Sequence, residues 1–137
     1  MQYLLLIYSN ETQWNQLNEA DKIKIFGEYR TFTNSITDSG HYKGGNRLDF
    51  TPKAKTVRIR EGKKSITDGP FAETKEQLAG YYILDCKDLD EAIYWGSKIP
   101  TLCGGRKGSL EIRPIQEVTS CAISELVEKE LAIGRRG

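Results

Sequence analysis

The sequence opens with a strand followed by a helix, and this unit recurs further along the chain. Residues 3–8 form an almost continuous apolar run, which is typical of a central β-strand covered on at least one face. Apolar residues then recur every three or four positions up to Asp38, which predicts an amphipathic helix capped by Asn18 or Asp21. Ser39-Gly40 ends it, because glycine accepts the left-handed conformation common after a helix.

A weak strand and a β-hairpin are predicted next. Residues 41–48 are strand-like, and Gly44-Gly45 within them indicates a bulge or a close approach of two backbones. Residues 56–60 alternate apolar and basic side chains, and residues 64–67 return after a turn at 61–63. The hairpin leads the chain directly to Asp68.

The second unit completes a sheet with helices on one face. It has a strand at residues 78–86, a short helix capped by Asp88 and a last strand at 109–115. This order predicts an α+β fold of ferredoxin-like topology. The other face of the sheet would be a large apolar patch unless a second copy covered it, so we expect a homodimer.

The chain divides into one domain and a tail. Residues 1–115 carry the predicted α+β domain, and residues 116–137 carry a further helix. An amphipathic helix of this length must dock to be stable, either on its own subunit or across a dimer. Its apolar side consists of Ile123, Leu126, Val127, Leu131 and Ile133.

Composition excludes several classes of protein. A net charge of +1 gives no electrostatic drive toward nucleic acid or an anionic membrane. No apolar run approaches the roughly 18–20 residues that span a bilayer. The first residues lack a basic leader and a cleavage site, so a cytoplasmic protein without membrane or nucleic-acid partners is expected.

The cysteines do not form a metal motif. Cys86, Cys103 and Cys121 are widely spaced, and His41 is the single histidine. Tetrahedral zinc sites need closely spaced thiolate and imidazole ligands, so we expect no metal and no cofactor.

Most of the chain resembles the YCII-related family, in its DGPF-type branch. The strongest match is TDGPFAETKEQLAGYY at residues 67–82. The opening strand at residues 3–8, EYRTFT at 28–33, GGNRL at 44–48, DLDEA at 88–92 and EIRPI at 111–115 match further parts of the pattern.

The resemblance implies a dimeric α+β barrel of ferredoxin-like halves, with a cleft between sheet and helices or at the subunit boundary. It implies no single activity. Part of the wider group carries a histidine in the first helix and an aspartate before the proline after the second helix, as a proposed catalytic pair. Here those positions hold Tyr29 and Ile99, so the pair's chemistry does not transfer.

The Asp68 motif has both a structural and a catalytic interpretation. Asp68 can accept backbone hydrogen bonds in a turn that Gly69 and Pro70 shape, with Phe71 anchored in the core and one helical turn at residues 73–76. In the catalytic interpretation, Asp68 projects into a cleft as a general acid or base.

Other polar groups could share that cleft. Tyr29 and His41 would assist Asp68, and His41 is the one side chain that ordinarily titrates near neutral pH. We expect the ligand-binding set to be Arg47, Arg58, Gly69, Pro70, Glu73 and Lys75. Arg58 either lines a wet cleft or belongs to an ordinary solvent-facing surface.

Two functions follow from these patterns. The first is a small cofactor-free enzyme that applies acid/base chemistry to a small organic substrate. The second is a non-catalytic module that binds a ligand or another protein.

Overall fold

A computed structural model describes residues 1–117 and 120–136 of the chain. That part contains six strands, four α-helices and two short 3₁₀ turns, at Thr51–Lys53 and Pro100–Leu102. In chain order the strands and α-helices are β1 (Gln2–Ser9), α1 (Glu11–Gln16), α2 (Glu19–Asp38), β2 (Tyr42–Arg47), β3 (Lys55–Arg60), β4 (Lys63–Asp68), β5 (Gln77–Asp85), α3 (Leu89–Gly96), β6 (Ser109–Pro114) and α4 (Ser120–Arg136).

Four strands form an antiparallel sheet in the order β2-β5-β1-β6, and β3 pairs with β4 as a separate hairpin. Side chains alternate between the two faces of a strand, so every second residue of β1 and β5 enters the core. In the core, those residues pack against side chains of α2 and α3 and against Ile99, which precedes Pro100. The prediction of an α+β fold is therefore confirmed. The buried members are Tyr3, Leu5, Ile7, Phe32, Ile36, Tyr82, Leu84, Cys86, Ala92 and Ile99.

The hairpin and α4 leave the sheet at opposite corners. Gln77, which begins β5 after the hairpin, pairs with Ser9 at the end of β1. Pro114, which ends β6 before α4, pairs with Tyr3 near the start of β1. Because β2 and β6 are also opposite edges, the two elements are attached diagonally across the sheet.

Local signals in the sequence determine the ends of α2. The side chain of Asn18 accepts a hydrogen bond from the Asp21 amide, which confirms one of the two predicted caps. Gly40 follows the helix with a φ of 82°, a conformation that favours glycine. Ile25, Phe32 and Ile36 form the buried side of the helix.

Two local predictions differ from the structure. Helix α1 was not expected, although Asn10 caps it through the Gln13 amide. Residues 73–76 form no helical turn. Thr74 instead forms two local hydrogen bonds in this segment. Its hydroxyl donates to the Glu76 carbonyl, and its carbonyl accepts from the side-chain amide of Gln77.

The predicted tail helix is confirmed over Ser120–Arg136, while its expected ends, Thr119 and Gly137, lie outside the described residues. Its apolar side chains from Ile123 to Ile133 remain exposed. Among the described residues, no helix has the length and apolar character that crossing a membrane requires.

Candidate functional site

A cavity of about 660 Å³ lies between the sheet and α2. This volume suits a small organic molecule. α1, α2, β2, β5 and the segments at residues 48–50 and 101–108 contribute to its walls. Seven of the lining residues are aromatic: Trp14, Phe26, Tyr29, Tyr42, Phe50, Tyr81 and Tyr82.

Arg47 brings positive charge to an aromatic cluster in the cavity wall. Its guanidinium carbon lies 5.3 Å from the Trp14 ring, 4.9 Å from the Phe26 ring and 5.6 Å from the Phe50 ring. Within residues 1–117 and 120–136, no carboxylate forms an ion pair with it. The residue is exposed, so the edge of the guanidinium can receive an anionic group.

The backbone of β2 brings Arg47 to this position. The register of β2 against β5 shifts between Tyr42 and Gly44, which confirms the predicted bulge. A Cβ atom on Gly45 would lie 2.8 Å from Cδ1 of Tyr82 and 2.9 Å from the Tyr81 carbonyl oxygen. Glycine therefore allows β2 to approach β5 closely, two residues before Arg47.

Tyr29 places a hydroxyl group in the cavity wall. The hydroxyl is hydrogen-bonded to Oγ1 of Thr101, which joins α2 to the segment before β6. Burial raises the pKa of Tyr29, and the hydrogen bond with Thr101 only partly offsets this. At neutral pH the group is a neutral phenol, which can donate or accept a hydrogen bond.

Three other charged groups of the wall, Glu11, Asp49 and Arg106, already have partners, and that of Asp49 is Lys53. The Glu11 carboxylate accepts hydrogen bonds from the amide and hydroxyl of Thr51 at 2.8 and 2.7 Å. Arg106 donates to Glu28 at 2.6 Å and to the Pro100 carbonyl at 2.9 Å. Lys107 is exposed in the same wall. Arg47 is thus the lining cation that is surrounded by aromatic rings.

Asp68 is not among the residues that line the cavity. Its carboxylate forms an ion pair with Lys55 on the neighbouring strand and is exposed. Gly69 donates its amide to the Ala54 carbonyl at 2.8 Å, with a φ of 92°. These contacts extend the β3–β4 pairing at the open end of the hairpin, and they do not include the backbone hydrogen bonds that were expected for the Asp68 carboxylate.

The predicted anchoring of Phe71 in the core is wrong, because 78% of this side chain is exposed. It lies instead against Arg58, whose guanidinium carbon is 5.3 Å from the ring. The remaining predicted ligand residues, Pro70, Glu73 and Lys75, are exposed, and Gly69 is half-buried. None of this group lines the cavity.

His41 belongs to a third location, between α2 and α3. Its Nδ1 is 2.7 Å from Oγ of Ser39, and its Nε2 is 2.7 Å from Oε1 of Glu91. This order resembles a serine, histidine and acid triad, but Ser39 donates its proton to the Ile36 carbonyl at 2.8 Å. His41 therefore connects the end of α2 to the first turn of α3.

The structure thus separates the three residues expected to act together. Tyr29 and Arg47 share the cavity, while Asp68 lies on the hairpin and His41 beside α3. The sequence did not identify Trp14, Phe26 and Phe50 as site residues. The signal available for Trp14 was the Asn10 cap followed by Glu11, which indicates a helix start.

The described residues hold no group of three or more histidine, cysteine, aspartate or glutamate side chains suited to a metal ion.

Cys86 is buried, and burial, followed by the charges of Glu91 and Asp85, raises its pKa to about 11. Cys103 is exposed.

Two comparisons with known proteins agree with this architecture. Residues 1–119 match the family model described as the YCII-related domain. An uncharacterised protein of Rhizobium meliloti (strain 1021) is 32% identical over 115 residues, which cover 84% of this chain and 92% of that relative. The family match includes both strand–helix–strand units and the residues that line the cavity. The chain belongs to the YCII-related family.

Proposed function

We propose that this protein binds a small organic anion with an aromatic or other apolar body in the cavity between α2 and the sheet. Arg47 carries the proposal, because its guanidinium lies among three aromatic rings and forms no ion pair in the described chain. The nearby Asp49 carboxylate pairs with Lys53, which lowers the Asp49 pKa more than the charge of Arg47 does. A planar guanidinium suits a carboxylate, which can accept two parallel hydrogen bonds from it.

The rest of the wall supports an apolar ligand body. The lining rings can pack against an aromatic or aliphatic group, and Tyr29 offers one hydrogen-bond donor. An anion with such a body would place its charged group at Arg47 and its apolar part toward Tyr82 and Ile7. This combination favours a monocarboxylate over a sugar or a nucleotide.

Matched ligand pairs test the proposal. Thermal unfolding is measured with benzoate against benzamide, and with phenylacetate against phenylacetamide, at low ionic strength. Each carboxylate is expected to raise the melting temperature more than its neutral amide, because a ligand that binds only the native state stabilises it. Equal shifts for acid and amide would contradict a role for charge, and no shift with any ligand would contradict the site.

A second candidate function is acid/base catalysis on the same ligand, without a cofactor. The observation that favours it is the Tyr29 hydroxyl in the cavity wall. Burial raises its pKa, which weakens it as an acid but keeps it protonated at neutral pH, so it suits the role of hydrogen-bond donor toward an oxygen that gains negative charge. Asp68 lies on the hairpin, so it could act as the base only for a substrate that extends from the cavity to the hairpin. His41 would assist from its position beside Glu91.

Substitutions separate the two functions. Tyr29→Phe should abolish turnover of a bound ligand and leave its affinity within a few-fold, whereas pure binding predicts no turnover in either protein. Asp68→Asn should abolish turnover in a folded protein if Asp68 is the base, and unaltered turnover rules this role out.

The finer architecture is also a proposal. The order β2-β5-β1-β6, with helices on one face, supports a ferredoxin-like topology, and residues 68–71 support the DGPF-type branch. The half-buried Leu4, Leu6 and Ile83 alternate with core residues, which supports a homodimer in which a second sheet covers them as an α+β barrel. Light scattering should then give twice the 15.5 kDa chain mass. Cell fractionation tests the expected cytoplasmic location.

A further inference from the structure

Two projecting elements of the chain each carry an apolar face without a partner. On the β3–β4 hairpin, Val57 pairs with Ile66, and Ile59 pairs with Lys64, so these four side chains share one face. Val57, Ile59 and Ile66 are each more than half exposed. Helix α4 exposes its apolar side to a similar degree. Exposed apolar faces of this kind mark interaction surfaces.

Each apolar face includes one charged residue, and the two charges are opposite. Glu130 follows Leu126 by four positions and Val127 by three, so it emerges within the apolar side of α4. Lys64 lies beside Ile59 on the apolar face of the hairpin. Neither charge has an ion-pair partner in the described ranges 1–117 and 120–136.

The hairpin as a whole is basic, and the middle of α4 is acidic. Lys55, Arg58, Arg60, Lys63 and Lys64 outnumber Glu61 and Asp68 on the hairpin. Glu125, Glu128 and Glu130 outnumber Lys129 within residues 123–134, while Arg135 and Arg136 at the end of the helix bring its net charge to zero. Opposite charges of this kind align two surfaces and exclude like-charged partners.

The dimensions of the two elements also agree. α4 has 17 residues, which at ~1.5 Å per residue makes it ~25 Å long. β3 has 6 residues, which at ~3.3 Å per residue makes it ~20 Å long. The helix can therefore cover the whole apolar face of the hairpin.

Connectivity favours a second copy over the same chain as the source of the helix. The hairpin and α4 are attached at diagonally opposite corners of the sheet, and the apolar side of α4 is exposed in the single chain. In a two-fold symmetric pair, each copy offers both surfaces, so the contact forms twice.

We propose that α4 of one copy docks on the Val57, Ile59 and Ile66 face of the hairpin of a second copy, with Glu130 against Lys64. The contact is independent of the cavity and is compatible with a dimer formed through the sheets. Because it uses the tail beyond residue 119, it involves a segment outside the family match.

Disulfide trapping between two different chains tests the contact. One full-length protein carries Ile66→Cys and the other carries Val127→Cys. Both also carry Cys103→Ser and Cys121→Ser, and Cys86 stays in place because it is buried. Oxidation of the mixture should give a mixed disulfide dimer as the main product, and circular dichroism confirms that each variant is folded.

Charge variants make the test specific. Glu130→Lys in the Val127→Cys protein should lower the yield of mixed dimer roughly fivefold, since it faces Lys64 with a like charge. Lys64→Glu in the other protein should then restore the yield. Glu125→Lys, on the opposite side of the helix, should leave it unchanged.

Three outcomes would overturn the proposal. The first is the absence of a mixed dimer. The second concerns a further variant that carries both Ile66→Cys and Val127→Cys in one chain. A disulfide within that chain would place α4 on its own hairpin. The third is a product dominated by pairs joined through Ile66→Cys alone, which would mean that two hairpins pair with each other.

Discussion

The guanidinium carbon of Arg47 lies 4.9 Å from the centre of the Phe26 ring, which joins the end of β2 to the middle of α2. Trp14 from α1 and Phe50 from the following loop flank the same group at 5.3 and 5.6 Å. A cation over an aromatic face contributes about 0.5–2 kcal/mol, depending on how far it is desolvated. One side chain therefore stabilises the wall of the cavity and gives the wall its charge.

Arg47→Met should weaken the binding of a carboxylate ligand about tenfold to a hundredfold, since charged hydrogen bonds contribute about 1.5–3 kcal/mol. The neutral amide of the same ligand should lose little affinity. Isothermal titration calorimetry measures both. Arg58→Met is the matched control, because Arg58 also lies over an aromatic ring but outside the cavity. Equal losses in the two variants would contradict the assignment of Arg47.

Gly45→Ala should lower the free energy of unfolding by about 1–3 kcal/mol, because the added methyl group collides with Tyr82 and with the backbone of Tyr81. Gly44→Ala is the control, since a Cβ atom there meets nothing within 4 Å. Urea denaturation measures the difference. If both variants lost the same stability, the close approach of β2 to β5 would not be its cause.

Tyr29 should make the protein less stable in alkali. Its pKa is raised in the folded state, so its hydroxyl contributes fully below the ordinary tyrosine pKa of about 10. That contribution is lost as the pH rises through the folded value. The loss of stability between pH 8 and pH 11 should be smaller in Tyr29→Phe than in the wild type, as measured by denaturant unfolding. Tyr94→Phe, which removes an exposed hydroxyl, is the control. An identical pH dependence in all three proteins would contradict the prediction.

Iodoacetamide at pH 8 should modify Cys103 and leave Cys86 intact. The thiolate is the reacting species, and a pKa of about 11 keeps the Cys86 thiolate scarce at that pH, while burial blocks access. Peptide mapping by mass spectrometry identifies the modified residue. Cys86 should react once denaturant unfolds the chain. Modification of both residues at similar rates in the native protein would mean that the core around Cys86 opens readily.

The sequence predicts most of the secondary structure because its signals there are local. Asn18 begins α2, Asp88 begins α3, and Glu61-Gly62 form the hairpin turn with φ values of 50° and 76°. The bulge near Gly44 is likewise visible in two adjacent glycines. Each of these features depends on a few consecutive residues.

The site was harder to predict because it depends on contacts between distant parts of the chain. Arg47 meets Trp14 and Phe26 only after β2 has paired with β5, and no local pattern marks that meeting. Phe71 was expected to anchor in the core. It remains exposed and lies against Arg58 of the hairpin, which no local pattern marks.

The ion pair between Glu28 and Arg106 has a consequence for the valence of the ligand. Arg106 lines the cavity, whereas Glu28 does not, yet Glu28 neutralises the arginine from α2. Exchange of Glu28 for glutamine would leave Arg106 uncompensated and would add one positive charge to the lining. If the cavity binds the proposed anion, that extra charge would favour a more highly charged ligand, so a residue outside the cavity would influence the charge that the site prefers.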